Sequence, residues 1–177
     1  NYSCTSPLPG AGAGNIASDP QLASWTHLSA NSPCVGAGSG LYASGLDIDG
    51  ESWSRPPCVG ADQQVPGGAT GTLSVTLDTD FTRMAVGFAA RFEARIEGQP
   101  TDHRWTFGDG TVVSNRLEIT HAWTVPGKYP VLLTAFNDAN PGGVSATVTV
   151  QVVVQPVFYV NQANPNPMAP YTTWETA

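Results

Sequence analysis

The sequence predicts an all-β protein, and three observations carry that expectation. Charged residues make up only 12% of the 177-residue chain, while glycine (19) and proline (15) are plentiful, a composition suited to many turns. Hydrophobic residues still reach 41%, enough to build a core. The longest apolar runs alternate with period two, the spacing of a strand that buries one face.

Residues 1–64 hold short apolar scraps between turns, and an internal echo. SPCVGAG at 32–38 returns as PPCVGAD at 56–62, an offset of 24 residues. A period in the twenties is what one coil of a parallel β-helix consumes, with equivalent positions stacked about 4.8 Å apart. Stacked in that way, Cys34 and Cys58 fall within the Cα range of a disulfide. Cys4–Cys34 is the competing pair, and one thiol is left over in either case.

After the break VPGGATG (65–71), strands are expected in quick succession. LSVTL (73–77) turns Leu73, Val75 and Leu77 inward. FAARFEARIE (88–97) places Phe88, Ala90, Phe92, Ala94 and Ile96 on one face, and Arg91, Glu93, Arg95 and Glu97 on the other. In WTFGDG (105–110), Trp105 and Phe107 point inward from one strand before Gly108-Asp109-Gly110 turns the chain. The glycines permit positive φ, and the Asp109 carboxylate accepts N–H bonds inside its own turn. A phosphate or calcium loop is the rival reading. It fails because GxxxxGK[ST] is absent and one carboxylate cannot build a multi-oxygen shell.

PGKY (126–129) is a second turn, feeding a strand with Tyr129, Val131, Leu133 and Ala135 inward. Leu132 and Phe136 then fall on the outward face, which makes them candidate contacts with a neighbour; partial cover by the same chain is the alternative. SATVTVQVVV (145–154) turns Ala146, Val148, Val150 and Val152 inward. Strands this short and closely spaced read as an antiparallel sandwich over 65–155. Residues 156–177 read as an extended tail. Phe158 and Val160 lie on its opening strand and are candidates for pairing with an exposed strand edge of another copy, head to tail.

WTFGDG, THAWTVPGKYPVLLTAFN (120–137) and the alternating last strand together resemble the PKD (polycystic kidney disease-type) domain, over about residues 70–155. The resemblance implies a seven-stranded Ig-like sandwich. Its structural motif falls here on Trp105, Phe107, Gly108, Asp109, Gly110, His121, Trp123, Gly127 and Tyr129. The chain departs from the family at Thr106, where Asp is usual, and at Ala122. Residues 1–64 resemble the C-terminal cap of a right-handed parallel β-helix of the pectin-lyase-like bacterial surface proteins, through NIASDPQLASWTHLSANSPCVGAG, GLDIDGE and PPCVGADQ. Residues 156–177 resemble the start of another. The expected organisation is thus a β-helix end (1–64), a PKD-type sandwich (65–155) and an extended tail (156–177).

Charge and motifs exclude several functions. The net charge is −7 and Lys128 is the only lysine, so clustered cations for nucleic acid are missing. No apolar run approaches the roughly 20 residues of a membrane span, and no signal peptide is expected within these residues. Relatives of the β-helix cleave acidic polysaccharides, which requires cations to neutralise the uronate and a base to take its proton. Residues 1–64 carry Arg55 as their single basic side chain besides His27, and no catalytic set is expected. His27, His103 and His121 read as structural histidines, without a nucleophile in view.

Asp47, Asp49 and Glu51 in DIDGE are the candidate Ca²⁺ ligands, weighed against a solvated turn whose carboxylates cap local N–H groups. Asp78 and Asp80 are weaker candidates of the same kind, and no other cofactor is expected. The Asn1-Tyr2-Ser3 sequon makes Asn1 a candidate glycosylation site and, with the scarcity of lysine, points to an extracellular or cell-surface setting. The expected function is a non-catalytic structural module of a surface protein or filament. Its partners would be copies of itself or neighbouring domains, and possible glycan ligands would stack on Trp25, Trp53 or Trp174. The alternative is an ancillary spacer or carbohydrate-binding segment of a secreted polysaccharide-active enzyme.

Overall fold

The computed structural model describes residues 1–155. The tail candidates Phe158 and Val160, and Trp174, lie outside the described residues. Eight strands and no helix are found among those described: β1 (Ser74–Thr79), β2 (Arg83–Ala85), β3 (Ala90–Glu97), β4 (Asp102–Thr106), β5 (Val112–Ser114), β6 (Glu118–His121), β7 (Gly127–Asn137) and β8 (Asn140–Val153). They form two sheets, ordered β1-β3-β6 and β2-β8-β7-β4-β5. All neighbours run antiparallel except β2 and β8, which are parallel. The fold is an all-β sandwich.

Alternation builds the core. β3 buries Ala90, Phe92, Ala94 and Ile96 in turn, and β7 buries Val131, Leu133 and Ala135, which are 0% exposed. β4 adds Trp105 and β8 adds Val150 and Val152. The outer face of β3 is charged as its sequence requires. Arg91 pairs with Glu118 on β6 at 2.6 Å and Arg95 with Asp78 on β1 at 2.7 Å. Both pairs are exposed, so solvent screening leaves each only a small contribution. Asp78 is thereby engaged with an arginine.

Phe88 departs from its expected inward place. The strand begins two residues later, at Ala90, because Gly87 (φ 80°) turns the chain just before it. Phe88 is left 45% exposed, packed edge-to-face on Phe81 at 5.5 Å.

Residues 1–73 contain no regular strand; turns and isolated bridges hold them, one of them the parallel pair Cys4–Ile16. The two echo segments do meet, but not as stacked coils. Val59 N–H donates to the Cys34 carbonyl and Gly38 N–H to that of Pro57, both at 2.8 Å, so the segments run past each other in opposite directions. Gly38 is needed for this approach, since a Cβ there would lie 2.5 Å from the Cys58 carbonyl oxygen. The small core so formed contains Leu28, Cys34, Cys58 and Val59.

Candidate functional site

The turn of WTFGDG is built into an aromatic cluster. Phe92 lies 5.5 Å from Phe107 and 6.1 Å from both Trp105 and Trp123. The indole N–H groups are satisfied by carbonyls: Trp105 donates to Arg116 at 2.8 Å and Trp123 to Phe107 at 3.0 Å. Gly108 adopts φ 75°, and a Cβ there would meet Pro130 at 2.9 Å, so both backbone and space select glycine. Gly110 is also at positive φ. Asp109 accepts from Thr111 N–H at 2.9 Å and pairs with His121 Nε2 at 2.7 Å. Burial pushes its carboxyl up, but the Thr111 N–H and His121 outweigh that and hold it below its ordinary value. His121 in turn stacks on Phe107 at 4.2 Å. Tyr129 stacks on Trp123 at 5.4 Å, and its hydroxyl donates to the Val125 carbonyl at 2.8 Å, beside the Pro126-Gly127 turn. These motif residues thus converge on one structural corner, where both indole N–H groups, the Asp109 carboxylate, His121 Nε2 and the Tyr129 hydroxyl have local partners.

A second centre lies where residues 1–73 meet the sandwich. His103, 0% exposed on β4, is paired through Nδ1 with the Ala23 carbonyl at 3.0 Å. Ala30 N–H donates to the Thr101 carbonyl at 2.9 Å, and Arg116 pairs with Asp19. Leu22 packs against the sandwich core as well as against the small core. The seam is therefore both polar and apolar.

At this seam the DIDGE carboxylates separate in role. Both oxygens of Asp47 are taken by backbone N–H groups: Asp49 and Glu51 on one, Gln63 on the other. Asp49 turns instead to His27, with Oδ2 3.0 Å from Nε2. The expected trio Asp47, Asp49 and Glu51 does not converge as ligands. Asp49, His27 and Asp62 do, with one ligand atom from each lying within 4.8 Å of the others. Sequence reading missed this set because 22 residues separate His27 from Asp49 and Asp62 is further still, with no local spacing to signal it. His27 reads as a structural histidine, and its ring is held between Asp49 on Nε2 and the hydroxyls of Ser24 and Thr26 on Nδ1.

The three cysteines also come together. Cys34 and Cys58 are buried and Cys4 half-buried, all as free thiols. Burial pushes the Cys34 thiol up to about 11, and Cys4 beside it pushes the same way. Asn1 is exposed, its side-chain oxygen accepting from Ala13 N–H at 2.8 Å.

Leu132 and Phe136 are half-buried rather than free. Arg104 covers Phe136, its guanidinium carbon 5.5 Å from the ring centre, and Gly143 leaves room beside that ring. Leu132 lines a shallow groove with Val112, which is 55% exposed. Of the tryptophans proposed for stacking, Trp25 is 57% exposed and Trp53 half-buried.

Residues 74–154 match the PKD domain family, and this part of the chain is a PKD domain. Similar solved structures include the PKD1 domain of Vibrio anguillarum Epp, at 21% identity, TM-score 0.39, covering 48% of this chain and 98% of that one. The PKD domain of the human VPS10 domain-containing receptor SorCS2 is 25% identical, TM-score 0.39, over 49% of this chain and 76% of its own. A structure of carbohydrate-binding modules from the β-sandwich superfamily is 22% identical, TM-score 0.42, over 48% of this chain and 35% of that one. No curated protein sequence matches. PKD domains are generally non-catalytic modules of extracellular proteins, and among the described residues no helix is long and apolar enough to cross a membrane.

Proposed function

We propose that the chain is a non-catalytic structural module of an extracellular surface protein or filament, in which the PKD sandwich is held rigidly against the segment before it. The seam carries this reading: a buried histidine–carbonyl bond, a backbone bond, an ion pair and a shared apolar side chain join the two parts. A loose spacer needs none of these. On the same reading residues 1–64 close a β-helix and residues 156–177 open the next or dock head-to-tail on another copy. The parallel Cys4–Ile16 bridge supports the first part, and the antiparallel meeting of the echoes limits it to a terminal cap.

Backbone NMR relaxation tests the rigid module. Amides of residues 1–64 and of the sandwich are expected to report one rotational correlation time. Two distinct times, as from beads on a string, would sink the proposal.

The exposed Trp25 favours a second reading, an ancillary carbohydrate-binding segment. Soluble glycans should then shift tryptophan fluorescence, and Trp25→Ala should remove the shift. An unchanged spectrum across acidic and neutral glycans would dispose of it.

A further inference from the structure

The seam cluster contains more negative charge than its protein partners neutralise. Asp62 is 5% exposed, and its Oδ2 accepts the Leu28 N–H at 2.7 Å. Its other oxygen accepts no hydrogen bond from any described residue. Asp47, Asp49, Glu51 and Asp62 gather here, and among the described residues no lysine or arginine forms an ion pair with any of them. Asp62 is the buried member of the four, and a buried carboxylate is expected to be paired or to coordinate a cation.

His27 adds a nitrogen with the right orientation. Its Nδ1 lies 2.7 Å from Ser24 Oγ and 2.9 Å from Thr26 Oγ1. Nε2 faces Asp49 Oδ2 at 3.0 Å and can coordinate a cation when the ring proton sits on Nδ1, which those two hydroxyls flank. The pocket between His27, Asp49, Glu51 and Asp62 has a volume of about 20 Å³, room for one ion or water.

We propose that His27, Asp49 and Asp62 bind a borderline divalent cation of the zinc class, which fastens the loop of His27, the DIDGE turn and the loop of Asp62 to one another beside the sandwich. The donor set selects the metal. One imidazole and two carboxylates suit Zn²⁺, whereas Ca²⁺ takes six to eight oxygens. Ligand atoms about 2.0–2.1 Å from a tetrahedral Zn²⁺ stand roughly 3.3 Å apart, close to the Nε2–Oδ2 separation of 3.0 Å. Water or Glu51 completes the shell. The site is structural: it ties together loops that have few regular hydrogen bonds.

The whole chain, stripped with a chelator, is titrated with Zn²⁺ and separately with Ca²⁺, following bound metal and melting temperature. One equivalent of Zn²⁺ should bind and raise the melting temperature with concentration, since a ligand of the native state stabilises by mass action. Millimolar Ca²⁺ should not. His27→Gln and Asp49→Asn should each weaken Zn²⁺ binding at least about tenfold. The Asp49 change, on an exposed turn, serves if the His27 variant misfolds. Co²⁺ in place of Zn²⁺ should show no thiolate charge-transfer band, which separates this site from the cysteines. Absence of Zn²⁺ binding, binding unchanged in both variants, or a thiolate band would each overturn the proposal.

Discussion

Phe92→Ala will lower the unfolding free energy of the sandwich by about 3–5 kcal/mol, the range for removing a fully buried aromatic ring. The expectation rests on where Phe92 sits. It is 0% exposed and touches the rings of Trp105, Phe107 and Trp123, so truncation opens a cavity lined by three large, rigid side chains. None of these can collapse into the space, because both indoles are tied by N–H bonds to carbonyls and Phe107 is clamped between His121 and Trp105. Denaturant unfolding followed by tryptophan fluorescence measures the loss. Val112→Ala, on an exposed strand, is the control and should change stability by under about 0.5 kcal/mol. A loss below about 1.5 kcal/mol for Phe92→Ala would mean that the cluster relaxes and is not the centre of the core.

The second large effect is on pH dependence, through His103. Burial lowers its pKa below the ordinary 6.5, while the carbonyls of Arg116 and Ala23 and the charge of Asp102 act the other way more weakly. The native state therefore keeps His103 neutral, and the unfolded chain takes up its proton first on acidification. Its contribution is fully present above pH 6.5 and is lost as pH falls from there through the lowered native value. Asp62 and Glu51, raised in the folded state, act with opposite sign nearer their ordinary 3.8 and 4.5. The comparison with His103→Leu isolates the histidine. That variant should flatten the profile just below pH 6.5. It should also lose about 1–3 kcal/mol near neutrality, because the Ala23 carbonyl is left buried without a donor. Parallel profiles for the two proteins would show that His103 titrates normally.

Strands with long alternation were legible in the sequence. β3, β7 and β8 appear where Phe92, Leu133 and Val150 predicted them, and the GDG turn follows Trp105 and Phe107 as expected. The rest was hidden for identifiable reasons. β2 and β5 are three residues each, too short for a period to register. Phe88 satisfied the alternation of β3, but a positive-φ glycine beside it ended the strand, and alternation contains no information about φ. The echo of SPCVGAG and PPCVGAD correctly brought two segments together, but repetition does not encode relative direction, and they met antiparallel. The seam was invisible because its members, Ala23, His27, Asp49 and Asp62 from loops and His103 from β4, are remote in sequence. Only the packing of Leu22 and Leu28 around them defines the place.

The lone parallel pairing has a mechanical consequence. Drawing the chain taut pulls β2 towards its N-terminus and β8 towards its C-terminus. Because the two strands run the same way, Arg83–Gln151, Met84–Val152 and Ala85–Val153 are strained together in shear rather than opened one after another like a zip. The Gln151 N–H bond to the Thr82 carbonyl, at 2.7 Å, and the Val86 N–H bond to that of Val153, at 2.9 Å, lie at the two ends of this lap joint. A sandwich fastened in this way yields to tension only when several bonds break at once.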